Sequence, residues 1–213
     1  MAFNIERFRS NISGFGYAKP HNFEVFVQAP PLLLNSTLNV NGRESSVNDL
    51  NNLLRFRIDQ VTAPGGSIVS ADIHRYGVGP TQKMPFNSQF FDTSFSVLLD
   101  KNTSLWDFWY NWVNAIFNFN GQESNGNNLI TGGRLPTYSA RYKDEYATTM
   151  MIVMYDTEGN TIKTINLYDA FPSSIRNVPL GWNAQNSLIR LNVAITYSQY
   201  SLVGSNIRNN NAN

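Results

Sequence analysis

Hydrophobic and polar positions change their period within residues 88–120, from a strand pattern to a helix pattern. Residues 91–99 alternate between apolar and polar side chains, which predicts a half-buried strand. From Ser104 onward, apolar residues recur at spacings of three and four, which predicts a helix that packs through an apolar stripe. That stripe contains Leu105, Phe108, Trp109, Trp112, Val113 and Ile116. Ser104 and Asp107 have the spacing of a capping box, so we expect the helix to begin at Ser104.

The predicted helix carries more aromatic residues than one sheet can cover. Trp106, Tyr110 and Phe117 lie beside the main stripe and widen it. Two interpretations of this second face remain open. Either the helix is buried deeply within its own domain, or these three side chains contact another subunit.

The remaining apolar pattern is typical of β-structure. Alternation predicts strands within residues 23–28, 53–61, 148–156 and 161–168, and the clearest one at 188–200. In that last strand the apolar face contains Ile189, Leu191, Val193, Ile195 and Tyr197, and the polar face contains Arg190, Asn192, Thr196 and Ser198. The polar face is expected to meet water. We therefore predict a mainly β protein with one flanking α-helix as its cover.

Residues 67–88 predict an extended hairpin with a wide tip. A turn at Pro64, Gly65 and Gly66 precedes them, and glycine and proline interrupt the strand pattern after residue 76. The apolar residues of this hairpin are too few and too scattered for a private core, so the hairpin is suited to reach a neighbour. The expected contact residues are Ile73, His74, Arg75, Tyr76, Val78, Pro80, Lys83, Met84 and Phe86.

A chain of 213 residues is long enough for one sizeable core. We predict a single domain over residues 1–213, with insertions at 31–52 and 121–140 and a flexible tail at 204–213. Lys and Arg number 16 and Asp and Glu 15, so the net charge gives no reason to expect a nucleic-acid-binding or membrane-binding surface. Charged residues make up only 15%, which favours a protein that buries much of its surface in an assembly.

Patterns for catalysis and metal binding are missing from the sequence. It contains no cysteine, and its two histidines, His21 and His74, lie in different segments without HxH or HExxH spacing. It also lacks GxSxG, GxGxxG and a phosphate-binding loop. No apolar run approaches the roughly 18 residues of a membrane span, and the N-terminus lacks the apolar segment of a signal peptide. We therefore expect a soluble, non-enzymatic protein without catalytic residues, metal, cofactor, membrane anchor or secretion by the general route.

Taken in order, these segments resemble the tail tube proteins of contractile-tailed, T-even-like bacteriophages. Residues 17–25, Tyr-Ala-Lys-Pro-His-Asn-Phe-Glu-Val, are similar to the segment that leads into the family's first strand. Residues 56–97 are similar to its second strand, proline-containing turn and long hairpin, and residues 108–112 to its aromatic helix. The C-terminal part is the most similar, through Leu167, Tyr168, Phe171, Pro172, Ile175, Leu180, Trp182, Asn186 and Tyr197.

The resemblance implies a β-sandwich or small barrel flanked by a helix. Copies of the chain would form hexameric rings whose strands join into one barrel around a lumen, and the rings would stack into the inner tail tube. The tube would conduct DNA on ejection and support the contractile sheath. Expected partners are further copies of the chain, the sheath protein, the baseplate tube-initiator, the tape-measure protein and phage DNA in the lumen. The expected location is the virion tail, and the host cytoplasm during assembly.

Within that fold, residues 67–88 would contact the next ring. The helix residues expected to face a neighbouring subunit or the sheath are Trp106, Tyr110 and Phe117. The residues expected to face a water-filled lumen are Arg190, Asn192, Thr196 and Ser198. The two insertions are longer than a compact tube protein requires, so a baseplate tube-initiator of the same fold is an alternative. A carbohydrate-binding β-sandwich with exposed tryptophans is a more remote one.

Overall fold

The computed structural model describes residues 5–6, 20–33, 38–40, 43–45, 47–74, 77, 79–117, 141–182 and 187–204. Its strands are β1 (Phe23–Val27), β2 (Leu38–Val40), β3 (Arg43–Ser45), β4 (Ile58–Val61), β5 (Gly65–Ile73), β6 (Gln82–Phe91), β7 (Thr93–Leu98), β8 (Thr148–Tyr155), β9 (Thr161–Ile175), β10 (Arg190–Thr196) and β11 (Gln199–Gly204). Its helices are α1 (Val47–Arg57), α2 (Ser104–Ile116) and the single-turn α3 (Lys143–Tyr146), with a 3-10 turn at Pro31–Leu33. The predicted mainly β fold with a helix after β7 is confirmed.

Two antiparallel layers share strand β9. In the first layer, residues 161–170 of β9 lie between β8 and β11, and β1 pairs with the other side of β8. In the second layer, residues 171–175 of β9 pair with β10, which is followed by β7 and β4. Because alternate residues of a strand point to opposite faces, each layer turns one apolar face inward, and both faces contribute to one buried core.

Asp169 marks the point at which β9 passes from one layer to the other. Its φ is 52°, in the left-handed region that strand residues rarely adopt. Its carboxylate pairs with Lys143 at 2.8 Å, and this hydrogen bond lowers the pKa of Asp169. Pro172 faces Ile195 beside a register shift, where a missing N–H is tolerated. The predicted strand at 161–168 is therefore too short, because the strand continues past Asp169 to Ile175.

Helix α2 contributes the largest side chains of the core, as its apolar stripe predicts. Leu105, Phe108, Trp109 and Trp112 are fully buried and belong to the same cluster as the strand side chains. The rings of Trp109 and Trp112 are stacked, with 5.6 Å between their centroids and 5° between their planes. Trp112 Nε1 donates to the carbonyl oxygen of Tyr146 at 3.0 Å, which ties α2 to α3. The helix is therefore packed by one face, in agreement with its sequence period.

Helix α2 begins at Ser104, as predicted, but the predicted capping box is wrong, because the N-cap residue is Thr103, whose side chain makes no capping hydrogen bond. The carboxylate that accepts hydrogen bonds there is that of Asp100, which lies before the helix. Asp100 accepts from Ser104 Oγ at 3.0 Å and from the backbone N–H of Leu105 at 3.4 Å. A carboxylate at this position satisfies an N–H group that has no partner within the helix and interacts favourably with the helix dipole.

Residues 53–57 are helical, so the predicted strand at 53–61 is wrong in its first half. Only Ile58–Val61 form a strand, and the preceding residues belong to α1. The leucines Leu50, Leu53 and Leu54 have the three- and four-residue spacing of a helix. Leu54 is fully buried, whereas Phe56, which suggested alternation, is 73% exposed. The fold thus has a second flanking helix beyond the one predicted.

The predicted strand at 188–200 is two strands in different layers. β10 ends at Thr196, and β11 then pairs with β9 in the first layer. Tyr197, between them, is buried and donates its hydroxyl to the carbonyl oxygen of Phe91 at 2.7 Å. Alternation continues across this change of layer, so the sequence pattern did not indicate it. Ile189, predicted on the buried face, precedes β10 and is 40% exposed.

The structure describes part of the first predicted insertion and none of the second. The insertion at 31–52 contains the 3-10 turn, the short hairpin of β2 and β3, and the first residues of α1. The insertion at 121–140 lies outside the described residues, as does the predicted tail apart from Gly204, the last residue of β11.

Candidate assembly surfaces

The hairpin arm, formed by β5 and β6, continues the pairing of β4 with β7 away from the core. Its pairing runs from Gly65 opposite Phe91 to Ile73 opposite Gln82. At about 3.3 Å per residue, the strands of the arm extend roughly 30 Å. Every residue of β6 is exposed, and among the described strands β5 and β6 pair only with each other. A two-stranded hairpin is at best marginally stable alone, so this arm offers two strand edges to a partner.

Aromatic contacts fix the base of the arm on the sandwich. The ring of Phe90 lies 5.5 Å from that of Tyr200 and 6.2 Å from that of Tyr197. The Tyr197 hydroxyl donates to the Phe91 carbonyl oxygen at 2.7 Å, and burial raises the pKa of Tyr197. A Cβ at Gly66 would lie 3.2 Å from the Phe90 ring, so glycine permits this close approach. The arm is therefore held at its base by defined contacts and leaves the sandwich beyond them.

The arm residues predicted from sequence are exposed wherever the structure describes them. Ile73, Met84 and Phe86 are exposed to 43%, 53% and 68%. The polar or small members of the set that are also exposed are His74, Pro80 and Lys83. The remaining three, which lie outside the described residues, are Arg75, Tyr76 and Val78. The single chain thus presents to solvent the apolar side chains that were expected to reach a neighbour.

The outward face of the second layer is polar across three strands. Gln60 on β4, Ser96 on β7 and Asn192 on β10 lie in one row of the pairing register. With Ser94 and Arg176 they line a cleft of about 120 Å³. The polar face predicted for β10 alone therefore extends over its neighbours as well.

Two carboxylates on this polar face accept hydrogen bonds from side chains of β10. Arg190 Nε lies 2.7 Å from the Asp59 carboxylate, and the Thr196 hydroxyl donates to Asp92 at 2.9 Å. Burial opposes ionisation of Asp59, but hydrogen bonds from Arg190 and Ser96 outweigh it, so the pKa of Asp59 is lowered. Asp59 and Arg190 neutralise each other, and the row of Gln60, Ser96 and Asn192 carries only hydroxyl and amide groups, which suit weak contact with a polyanion.

Ser198 does not lie on this polar face, so its predicted position beside Arg190, Asn192 and Thr196 is corrected. It follows β10 in the bend towards β11, where Lys143 Nζ donates to its hydroxyl at 2.5 Å. Its own N–H donates to the carbonyl oxygen of Tyr168 at 3.0 Å. The change of layer after β10 separates Ser198 from the other three predicted residues.

Helix α2 presents an aromatic face on the side away from its fully buried stripe. Tyr110 is 44% exposed and Phe117, just after the helix, is 42% exposed. Trp106 is only partly exposed, because it packs against the core. Of the three predicted residues, Tyr110 and Phe117 are therefore the ones that another protein could reach.

A shallow hollow of about 370 Å³ lies on the outer side of the first layer. Phe26, Met151 and Arg55 line it, and none of its lining residues is a histidine or a carboxylate. Arg55 pairs with Glu24 at 2.7 Å, and this hydrogen bond lowers the pKa of Glu24. Within the described ranges there is no group of three or more His, Cys, Asp or Glu that could hold a metal ion, and no helix long and apolar enough to cross a membrane.

Sequence reasoning missed an apolar loop between β9 and β10. Leu180 is 74% exposed, Trp182 is 101% exposed and Leu188 is 69% exposed. The sequence signal is the run Val-Pro-Leu-Gly-Trp at 178–182, in which proline and glycine prevent regular structure around large apolar residues. Apolar residues placed in such a loop have no strand or helix that would bury them.

A sandwich that leaves so long a hairpin outside its core exposes strand edges of the kind through which structural subunits assemble. Residues 18–203 match the family described as phage tail tube protein. The chain belongs to this family, so the resemblance inferred from sequence is confirmed. Because the family is a structural one, its membership also confirms the expectation of a non-enzymatic protein. No curated protein sequence matches the chain.

The fold is similar to chains of other solved assemblies. One belongs to the sheath–tube complex, in its extended state, of the extracellular contractile injection system PVC, with 16% identity, a TM-score of 0.52, and coverage of 92% of this chain and 97% of that one. Another belongs to the baseplate of the anti-feeding prophage, with 9% identity, a TM-score of 0.54, and coverage of 90% and 98%. At such identities the similarity establishes the fold alone.

Proposed function

We propose that this chain forms the inner tube of a contractile tail by assembling into stacked hexameric rings. The observation that carries this proposal is the hairpin arm, whose exposed Ile68, Met84 and Phe86 have no place in the core of their own chain. Contacts between unlike surfaces of identical subunits close into rings by rotation and grow into filaments by translation. The arm supplies a surface for the contact by translation, and it would therefore contact the next ring.

Unpaired strand edges supply the joint within a ring. In the described part of the chain, β4 pairs only with β7, and residues 171–175 of β9 pair only with β10. Such an edge is a template for another strand. Pairing β4 of one subunit with residues 171–175 of the next would extend the second layer around the ring into one closed barrel.

The polar face of the second layer would then line the lumen, because the opposite face of that layer is core. Arg190, Asn192 and Thr196 are exposed or half-exposed on it. Hydroxyl and amide groups hold DNA weakly, which a conduit requires. A cryo-EM reconstruction of the assembled tube tests this orientation, and a channel wall made by the first layer would refute it.

The same assembly places the aromatic face of α2 on a neighbouring subunit or on the sheath. Further partners in this proposal are the baseplate tube-initiator, the tape-measure protein and the DNA that passes on ejection. The particle is the virion tail, assembled in the host cytoplasm. Family membership supports these assignments, and the surfaces described above are compatible with them.

Deleting the tip of the arm, residues 77–85, tests the proposal. We expect a folded protein that no longer forms tubes, since the inter-ring contact is lost while the core is untouched. Negative-stain microscopy measures tube formation, and circular dichroism measures the fold. The double substitution Met84→Ser and Phe86→Ser should act in the same direction without shortening the chain. As a matched control, Tyr142→Ser changes a side chain that is 82% exposed outside the arm and should leave tubes intact.

Normal tubes from the tip deletion would refute the role of the arm. Microscopy of the unmodified protein also separates the alternatives. Tubes support the tube protein, single rings support a baseplate tube-initiator of the same fold, and a monomer that binds carbohydrate supports the β-sandwich module.

A further inference from the structure

We propose that Trp182 of each subunit packs against Phe56, at the C-terminal end of helix α1, of the neighbouring subunit in the ring. The inference rests on the proposed joint between β4 and residues 171–175 of β9. It adds a defined aromatic contact to that joint, made by two side chains that have no role within their own core.

Both side chains are exposed far beyond what is usual for their type. Trp182 is 101% exposed and Phe56 is 73% exposed. Single exposed apolar residues are common on protein surfaces, but tryptophan is on average highly buried. Leu180, two residues before Trp182, is 74% exposed as well. Leu180 and Trp182 thus expose apolar side chains two residues apart in the loop that follows a sheet edge, and exposed apolar surface of this kind marks contact sites.

The loop that carries Trp182 leaves the sheet at a defined place. The N–H of Arg176 donates to the carbonyl oxygen of Asn192 at 2.9 Å, so the chain is still held to β10 directly after β9 ends. Val178 then packs partly against the core. Trp182 lies only four residues further on and is therefore confined to the neighbourhood of this end of the sheet.

Strand directions decide which end of the next subunit this loop meets. In the second layer β4, β7, β10 and residues 171–175 are successively antiparallel, so β4 and residues 171–175 run in opposite directions. Rotation about a ring axis preserves these directions. Residues 171–175 of one subunit and β4 of the next therefore meet as an antiparallel pair. The end of β9 at Ile175 then lies beside the beginning of β4 at Ile58, and not beside its end.

Helix α1 runs directly into that beginning of β4, because Arg57 is its last residue and Ile58 the first of the strand. Phe56 is thus presented where the Trp182 loop arrives. The receiving site is already organised: Arg55 Cζ lies 5.4 Å from the Phe56 ring and 4.7 Å from the Phe26 ring, and its guanidinium is held by Glu24 at 2.7 Å. An indole that packs there gains both an aromatic and a cation–π partner.

Cross-linking through introduced cysteines tests this contact, because the chain has no cysteine of its own. The full-length double variant Phe56→Cys and Trp182→Cys is assembled at a protein concentration well above that needed for the unmodified chain, to offset the lost aromatic contact, and is treated with a short bismaleimide reagent. We expect a ladder of covalent oligomers in denaturing gels, since each subunit supplies one thiol to each neighbour. The two single variants, mixed in equal amounts, should stop at dimers. As a control pair, Trp182→Cys with Val203→Cys, on β11 of the other layer, should give no ladder.

The outcomes separate this inference from the proposed function. Tubes or rings with a ladder support both. Tubes or rings without a ladder overturn the contact, leave the tube function standing, and assign Trp182 to a different partner such as the sheath. Failure of the unmodified chain to form rings or tubes overturns the function and the contact together. Trp182→Ala should raise the concentration needed for assembly about tenfold or more, as truncation of an interface tryptophan usually does, and unchanged assembly would overturn the contact.

Discussion

Of the three tryptophans in helix α2, Trp109 and Trp112 differ in one hydrogen bond, so replacing each of these two with phenylalanine separates that bond from packing. Trp109 and Trp112 are both fully buried and stack on each other. Trp112 Nε1 donates to the Tyr146 carbonyl oxygen at 3.0 Å, whereas the buried Trp109 Nε1 has no hydrogen-bond partner in the part of the chain that the structure describes. Trp112→Phe and Trp109→Phe are therefore a matched pair.

The expected magnitudes follow from these contacts. In both variants, exchanging indole for phenyl removes roughly two buried methylene equivalents, or about 1.5 kcal/mol of packing. Trp112→Phe also leaves the Tyr146 carbonyl without its donor, which costs about 1–3 kcal/mol more. Trp109→Phe removes an unpartnered buried N–H, which offsets part of its packing loss. We expect the free energy of unfolding to fall by about 3 kcal/mol for Trp112→Phe and by about 0.5 kcal/mol for Trp109→Phe.

Urea unfolding of the full-length chain measures both changes. The protein is kept below the concentration at which it assembles, and far-UV circular dichroism follows the loss of structure. Equal dependence on urea in all three proteins indicates that the same surface is exposed on unfolding. An equal loss of stability in the two variants, or a larger loss for Trp109→Phe, would refute the role assigned to the Trp112 hydrogen bond.

Two further predictions concern the first layer and the helix face. The hydrogen bond from Arg55 lowers the pKa of Glu24, so ionised Glu24 stabilises the fold. The stability difference between the unmodified chain and Glu24→Gln should be complete above the ordinary glutamate pKa of about 4.3, and it should vanish as the pH falls through the lowered pKa of the folded state. Urea unfolding across that range measures it, and a difference that persists in strong acid would point to packing instead. Tyr110→Ser should leave the urea midpoint nearly unchanged but reduce tube yield or co-sedimentation of sheath, since Tyr110 is 44% exposed on the outer helix face. Lower stability with normal assembly would show that this face serves only its own chain.

The strand–helix segment was predictable because its signal is local. Residues 91–99 alternate, and the stripe from Leu105 to Ile116 has a helical period, so local geometry alone determines which side chains share a face. The prediction for 53–57 was wrong because a pattern of five residues fits both periods. There the burial of Leu54 against the sandwich, and not the alternation of Phe56, selects the helix.

Candidate assembly residues were predictable to different degrees. The hairpin arm was recognised from its scattered apolar residues and its glycine and proline tip, which are properties of the sequence itself. The exposure of Trp182 was not predicted, because a loop lacks the periodic pattern from which burial or exposure is inferred in helices and strands. The separation of Ser198 from Arg190 was missed for a related reason, since alternation continues while the chain changes layer.

By itself, the sequence of this protein determined the strand and helix periods, the exposed hairpin and membership of the tail tube family, because each depends on neighbours within a few residues or on the order of such segments. Only the tertiary structure decided that β9 serves both layers, that α1 precedes β4, and that among the described strands β4 and residues 171–175 each keep one unpaired edge. Those features depend on pairing between strands that are distant in the sequence. Because every strand offers the same backbone N–H and C=O groups, hydrogen bonding alone would permit many registers. The burial of side chains from both layers in one core selects among them.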